Sequence, residues 1–171
     1  MKSLTLSELN RLAPAQFVSV LGGIFEHSPW VAERVAAQRP FASVQAVHAA
    51  MVQAIEDEGL DAQLRLIRAH PELAGKAAVR GELTQESKSE QSGAGLDRCS
   101  PEEFAKLHAL NDAYNAKFGF PFIVAVRGHD RHSIMALFEK RLGNAPDDER
   151  RECLQQIYKI GGFRLADLLR D

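Results

Sequence analysis

The sequence has little cysteine, no long apolar run and no excess of basic charge. Its two cysteines, Cys99 and Cys153, form no Cys-x-x-Cys pair, so they indicate neither a zinc ligand set nor a disulfide framework. A membrane span needs about 18 consecutive apolar residues, and no stretch of the sequence is that long. The N-terminus also lacks the apolar core of a signal peptide. The net charge of −2 provides no field that would hold nucleic acid or an anionic membrane. We therefore expect a cytoplasmic protein that binds neither.

The length and composition are those of an ordinary folded domain. The chain has 171 residues, of which 45% are hydrophobic and 26% are charged. A chain of this length buries a substantial core without disulfides or metals. We therefore expect one domain over residues 1–171.

Most of the chain carries the punctuation of helices. Ser43 precedes a segment in which Val47, Met51 and Ile55 recur at four-residue spacing, and Gly59 follows it, which predicts an amphipathic helix with a cap at each end. Ser28-Pro29 likewise predicts an N-cap followed by a proline in the first turn. The predicted helices cover about residues 30–37, 44–58, 61–70, 84–92, 101–118, 131–142 and 146–169. The pattern favours an all-α, single-domain helical bundle of about seven to nine helices.

His70 is the leading candidate for an acid or base. It ends a predicted helix because Pro71 disfavours helical geometry in the residue before it, and its imidazole exchanges protons near neutral pH. A structural role for His70 remains open, as it does for the other five histidines. His129 and His132 could share a metal, but no carboxylate or cysteine spacing completes a ligand set, so no metal site is predicted.

The predicted helix 84–92 places Ser87, Glu90 and Gln91 on one face. Together they offer a hydroxyl, a proton acceptor and an amide that could bind a urea-like group. Ser87 lacks the Gly-x-Ser-x-Gly context of a nucleophile, so we interpret it as a hydrogen-bond partner. A solvated polar face is the alternative interpretation.

Two further features could contribute to a site. The short apolar run Phe120–Val126 is predicted to be a buried extended segment, whose backbone N–H and C=O groups need partners. Arg164 follows Gly161-Gly162-Phe163 and is either a surface arginine or a fork for a carboxylate or carbonyl.

Several short motifs occur together in one order along nearly the whole chain. They are His70-Pro71-Glu72-Leu73, Ala74-Gly75-Lys76, Ser87-x-x-Glu90-Gln91, Gly93-Ala94-Gly95-Leu96, Asn111-x-x-Tyr114-x-x-Lys117-Phe118-Gly119-Phe120-Pro121-Phe122 and Arg164-Leu165. Jointly they resemble the 2-oxo-4-hydroxy-4-carboxy-5-ureidoimidazoline (OHCU) decarboxylases of purine catabolism. The resemblance implies an all-helical homodimer that converts OHCU to (S)-allantoin with loss of CO2 and without a cofactor.

The resemblance also assigns residues to roles. His70 and Glu90 match the catalytic pair. The matching substrate-binding residues are Pro71, Ser87, Gln91, Phe122, Ile123, Val124, Ala125, Val126 and Arg164. OHCU decays spontaneously to racemic allantoin, so the enzyme would set the stereochemistry. We expect separate urate oxidase-type and 5-hydroxyisourate hydrolase-type enzymes to supply the substrate.

Two other function classes are consistent with the same residues. One is a different cofactor-free enzyme acting on a cyclic amide, such as a hydrolase or tautomerase. The other is a helical interaction module in which the polar cluster is only a solvated face.

Overall fold

The computed structural model describes residues 3–75 and 80–171. They contain nine α-helices and two short 3-10 helices, Ala36–Gln38 and Leu96–Arg98. The α-helices are α1 (Leu6–Arg11), α2 (Pro14–Leu21), α3 (Trp30–Val35), α4 (Val44–Glu58), α5 (Leu60–Ala69), α6 (Gln85–Gly93), α7 (Pro101–Phe118), α8 (Arg131–Arg141) and α9 (Pro146–Leu168). In these residues one strand pair forms, with β1 (Leu4–Thr5) parallel to β2 (Leu169–Arg170). The predicted all-α fold of seven to nine helices is confirmed.

The chain divides into two compact units. Unit 1 comprises Met1–Ala69 and Tyr158–Asp171, and unit 2 comprises His70–Ile157. Each unit buries its own apolar core. A single domain over residues 1–171 stays a prediction. None of the helices in the described ranges is both long and apolar enough to cross a membrane.

Helix α4 contributes an apolar stripe to the core of unit 1. Val47, Met51 and Ile55 are each 0% exposed, as their four-residue spacing predicts. The hydroxyl of Ser43 accepts a hydrogen bond from the Ala46 N–H at 3.0 Å. Gly59 follows the helix with a φ of 91°, a conformation that favours glycine. Both predicted ends of this helix are therefore confirmed.

The predicted N-cap of α3 is wrong. Pro29 occupies the N-cap position without a side-chain hydrogen bond. The hydroxyl of Ser28 instead donates to the Glu26 carbonyl at 2.8 Å, so it is already bonded to the preceding segment. The α-helix also ends at Val35, where a tighter 3-10 turn takes over.

The core of unit 2 is aromatic. Tyr114 of α7 meets the rings of Phe122 and Phe138 edge-on, with centroids 5.4 and 5.7 Å away. Phe122 and Phe138 stack on each other with centroids 3.9 Å apart. Such ring pairs stabilise a core beyond the area that they bury. They fix the buried segment 121–126, which forms neither helix nor strand, in agreement with the sequence.

Helices α6 and α7 begin at Gln85 and Pro101, within one residue of their predicted starts. Thr84 caps α6 by accepting from the Ser87 N–H at 3.2 Å. Ser100 and Glu103 form a capping box at the start of α7, with hydrogen bonds of 2.9 and 3.1 Å between side chain and backbone. Gly119 ends α7 in the left-handed conformation, with φ of 75°. These caps fix where the polar faces of α6 and α7 point.

Candidate active site

The chain turns sharply at the end of α5, in residues 70–75, which we call the His70 turn. His70 is 7% exposed and Pro71 is half-buried. Ala74 has a φ of 50°, a backbone angle that residues other than glycine rarely adopt. Gly75 lies so close to Glu72 that an added Cβ would be 2.6 Å from the Glu72 Cβ. The turn is thus tight and strained directly after His70. Lys76 of the sequence motif lies outside the described residues.

Helix α6 buries polar side chains. Ser87 is 4% exposed, Gln91 is 7% exposed, and Glu90 between them is half-buried. The remaining positions of α6 are half-buried or exposed. The predicted shared face is therefore turned into the protein, and its buried members are a hydroxyl and an amide.

Gln91 joins α6 to the His70 turn. Its Oε1 accepts a hydrogen bond from the Ala74 N–H at 2.8 Å, and its Nε2 donates to the Glu72 carbonyl at 3.4 Å. The residue next to Glu90 is thereby bonded to backbone two and four residues beyond His70. The structure brings these two predicted segments together.

Helix α7 holds the same turn from a second direction. Asn111 is 2% exposed, and its Nδ2 donates to the Leu73 carbonyl at 3.1 Å. Asn115, one helical turn later, donates to the Glu72 carboxylate and to the Asn111 carbonyl. The sequence motif that includes Asn111 was the only signal for this contact, and it does not name the partner.

The predicted substrate-binding segment 122–126 is buried along its whole length. Three of its backbone groups already have protein partners. The Ile123 carbonyl accepts from Arg141 at 2.6 Å, and the Ala125 N–H donates to Gln156 Oε1 at 3.0 Å. The Val126 carbonyl accepts from the His129 N–H at 2.9 Å. These three groups hold the segment in place and are occupied by the protein itself.

Arg141 belongs to a buried polar cluster centred on Glu149. Glu149 is 0% exposed, and its carboxylate accepts from Arg141 Nε at 2.7 Å, from the Tyr114 hydroxyl at 2.6 Å and from Asn144 at 2.9 Å. The Tyr114 hydroxyl also lies 3.2 Å from the Cys153 sulfur. Burial raises the pKa of the Tyr114 hydroxyl and of the Cys153 thiol, so both stay neutral.

Sequence reasoning missed Arg141, Glu149 and Gln156 as supports of this segment. These residues lie on α8 and α9. Helical spacing was an available signal, because Arg141 follows the buried Phe138 by three residues and Glu149 precedes the buried Cys153 by four. Their polar side chains concealed this signal, since charged residues in a helix are usually exposed.

Arg164 lies in unit 1, where it is 6% exposed and forms an ion pair with Glu26. Its Nη2 is 2.9 Å from Glu26 Oε1, and its Nη1 donates to the Ile24 carbonyl at 3.3 Å. It is therefore a buried fork, as one interpretation of the sequence has it. The acceptors seen here are protein groups, and removing one partner would leave the other buried charge uncompensated.

Three of the other histidines lie beside polar groups of the protein. His129 Nδ1 lies 3.1 Å from the Ser133 hydroxyl, and His132 lies 3.8 Å from the Glu103 carboxylate. His48 Nε2 lies 2.7 Å from the Tyr158 carbonyl within unit 1. Within residues 3–75 and 80–171, no three His, Cys, Asp or Glu residues are grouped so that they could hold a metal ion.

Unit 2 thus joins, through hydrogen bonds, an imidazole-bearing turn to a helix with a carboxylate, a hydroxyl and an amide. An imidazole and a carboxylate can move protons, while the hydroxyl and amide can orient a polar heterocycle. Unit 2 therefore carries groups both for proton transfer and for orienting a polar substrate.

Known proteins are similar to this chain in sequence and in fold. The family model of OHCU decarboxylase matches residues 10–166. A 2-oxo-4-hydroxy-4-carboxy-5-ureidoimidazoline decarboxylase of Haloferax volcanii is 41% identical over 167 residues, which are 98% of this chain and 97% of that protein. A uric acid degradation bifunctional protein of Bacillus sp. (strain TB-90) is 39% identical over 166 residues, which are 97% of this chain and 32% of that longer protein.

A solved structure of (S)-allantoin synthase superimposes with a TM-score of 0.79 and 29% sequence identity. The match covers 97% of this chain and 54% of the other, so this chain spans about half the length of that protein. The family match covers both units and includes the His70 turn and α6. The chain belongs to the OHCU decarboxylase family.

Proposed function

We propose that this chain is a carboxy-lyase that converts OHCU to (S)-allantoin, with loss of CO2 and without a cofactor. Membership of the OHCU decarboxylase family supports the reaction. The observation that carries the site is the pair of hydrogen bonds from Gln91, which hold the helix of Glu90 to the turn of His70.

The reaction requires the protein to position the substrate and to deliver one proton to it. The bond between ring carbon C4 and the carboxylate breaks, and its electron pair moves into the ring toward the adjacent C5=N double bond, which leaves an enol at C4. The C=N bond accepts that pair, so the reaction does not require a metal or pyridoxal electron sink. The C4 hydroxyl then loses its proton and becomes a carbonyl, while a proton delivered to one face of C5, the carbon that bears the ureido group, sets the (S) configuration. Oriented groups in a water-poor site supply most of such a rate increase.

We assign the proton and charge handling to His70 and Glu90. Glu90 would orient the substrate hydroxyl or accept its proton, while His70 would direct the carboxylate or deliver the proton to carbon. Both orders of events use the same pair. Pro71, Ser87 and Gln91 would contact the substrate beside them.

The segment from Phe122 to Val126 would present the remaining backbone groups to the substrate's amides. The carbonyls of Ile123 and Val126 and the N–H of Ala125 are bonded to the protein, so they would anchor the segment. The substrate-binding role of Arg164 rests on the family resemblance alone.

We further propose that the chain acts as a homodimer in the cytoplasm, within urate degradation. Its substrate is unstable, so enzymes of the urate oxidase and 5-hydroxyisourate hydrolase types would have to supply it nearby. The relatives named for uric acid degradation and OHCU decarboxylation support this placement.

The direct test generates OHCU in situ from 5-hydroxyisourate and follows the product by circular dichroism and CO2 release. The purified protein should give optically active (S)-allantoin faster than the spontaneous racemic product appears. Treatment with a chelator should leave the rate unchanged. Racemic allantoin at the spontaneous rate would reject the proposal, and ring opening without CO2 would identify a hydrolase.

A further inference from the structure

Three amide side chains hold the His70 turn, and we call them the amide clamp: Gln91, Asn111 and Asn115. Their bonds reach three consecutive residues, Glu72, Leu73 and Ala74. Gln91 comes from α6 and the two asparagines come from α7. The turn that follows His70 is thus bonded to two helices.

The conformation of the turn needs such bonds. Ala74 has a φ of 50°, and its own N–H donates the hydrogen bond to Gln91 Oε1. Leu73, one residue earlier, is 6% exposed, and its carbonyl accepts a hydrogen bond from Asn111 Nδ2. A strained turn persists only where its surroundings hold it, and strain of this kind collects at functional sites.

Asn111 is poorly explained by stability alone. It is 2% exposed and uses its Nδ2 on the Leu73 carbonyl. Within the described ranges, nothing donates to its buried Oδ1. A buried acceptor without a donor lowers the free energy of unfolding, and an apolar side chain at this position would avoid that loss. What the amide contributes in return is one bond to the His70 turn.

We propose that Asn111 is a positioning residue for the reaction: through the Leu73 carbonyl it sets the place of His70 relative to Glu90. This inference rests on the proposed function of the pair. Asn111 belongs to a sequence motif for which the catalytic scheme alone has no use. It acts through the backbone and does not itself handle protons.

The test variant is Asn111→Leu, which keeps a similar volume and removes the donor. A misplacement of about 1 Å lowers turnover by as much as 10²-fold, so we expect kcat to fall by about 10- to 100-fold. KM should change much less, because Ser87 and the 122–126 segment are left in place. Deuterium exchange of the peptide that contains residues 70–75 should become faster.

A matched control is Asn10→Leu in unit 1. Asn10 also clamps backbone with its amide, bonding the Phe41 carbonyl at 3.0 Å and the Phe41 N–H at 2.9 Å. Its loss should lower stability without changing kcat per folded molecule. If Asn111→Leu does not fold, Asn111→Ser takes its place, since its shorter side chain also withdraws the donor from Leu73.

Unchanged kcat per folded molecule in the Asn111 variant would overturn the inference, as would an equal fall of kcat in Asn10→Leu. The exchange measurement separates the two proposals. A wild-type protein that yields only racemic allantoin would remove the proposed function. Unchanged exchange in residues 70–75 of the Asn111 variant would remove the clamp even in an active enzyme.

Discussion

Helices α4 and α6 both begin with a hydroxyl cap and both bury one face, but they bury opposite kinds of side chain. Helix α4 buries Val47, Met51 and Ile55. Helix α6 buries Ser87 and Gln91, whose polar atoms need hydrogen bonds once they leave water. The difference shows where the sequence stabilises the fold and where it accepts a cost to hold polar groups in place.

The sharpest way to break this contrast is at the proposed catalytic pair. His70→Ala and Glu90→Ala should each lower turnover by about 10²–10⁴-fold, the usual loss for a positioned acid or base, while the protein still folds. The double variant should lose far less than the product of the two single effects, because the pair acts in one step. The losses in the single and double variants are measured as turnover and as the optical activity of the product.

Near-normal turnover in either single variant would remove that residue from the mechanism. Strictly multiplicative losses in the double variant would mean that the two act independently. A variant that has lost activity should leave racemic allantoin from spontaneous decay.

The apolar helix should respond in the opposite way. Met51→Ala removes a fully buried side chain and should lower the free energy of unfolding by about 2–5 kcal/mol. Turnover per folded molecule should not change, since α4 contributes no proposed site residue. Urea unfolding and an activity assay on the same sample test this, and a fall in kcat at full folding would contradict it.

A smaller effect is expected at the buried hydroxyl of α6. Ser87→Ala removes one hydrogen-bonding group, worth about 0.5–1.5 kcal/mol. If that group serves the substrate, KM should rise by up to about tenfold with little loss of stability. Loss of stability with constant KM would instead make Ser87 a structural residue.

The smallest effects should be equal in the two helices. Ser43→Ala and Thr84→Ala each remove a side-chain cap and should each cost about 1 kcal/mol. Only the Thr84 variant should also slow turnover, because α6 carries Glu90. Equal turnover in both would show that fraying of α6 does not reach the site.

Much of the helical framework was predictable because caps and periodicity are local signals. The ends of α4, α6 and α7 follow from Ser43, Thr84, Ser100 and the glycines after them. The sequence also signals α1, through the Thr5-x-x-Glu8 capping box, but this helix was not predicted. The prediction at Ser28 failed because a hydroxyl can bond backward as well as forward.

The polar contacts of the site could be predicted only in part. The shared face of Ser87, Glu90 and Gln91 follows from helical spacing, but the partner of the Gln91 amide does not. Asn111 and Leu73 are 38 residues apart, and Ile123 and Arg141 are 18 apart. Such pairs depend on the completed fold, so no local pattern identifies them.

The buried cluster around Glu149 has a practical consequence for the two thiols. Burial raises the pKa of both thiols, but Cys153 is 0% exposed whereas Cys99 is half-buried. A maleimide should therefore modify Cys99 in the native protein and reach Cys153 only when the core of unit 2 opens. The labelling rate of Cys153, measured by mass spectrometry, thus reports how often the core of unit 2 opens, and no substitution in the chain is needed.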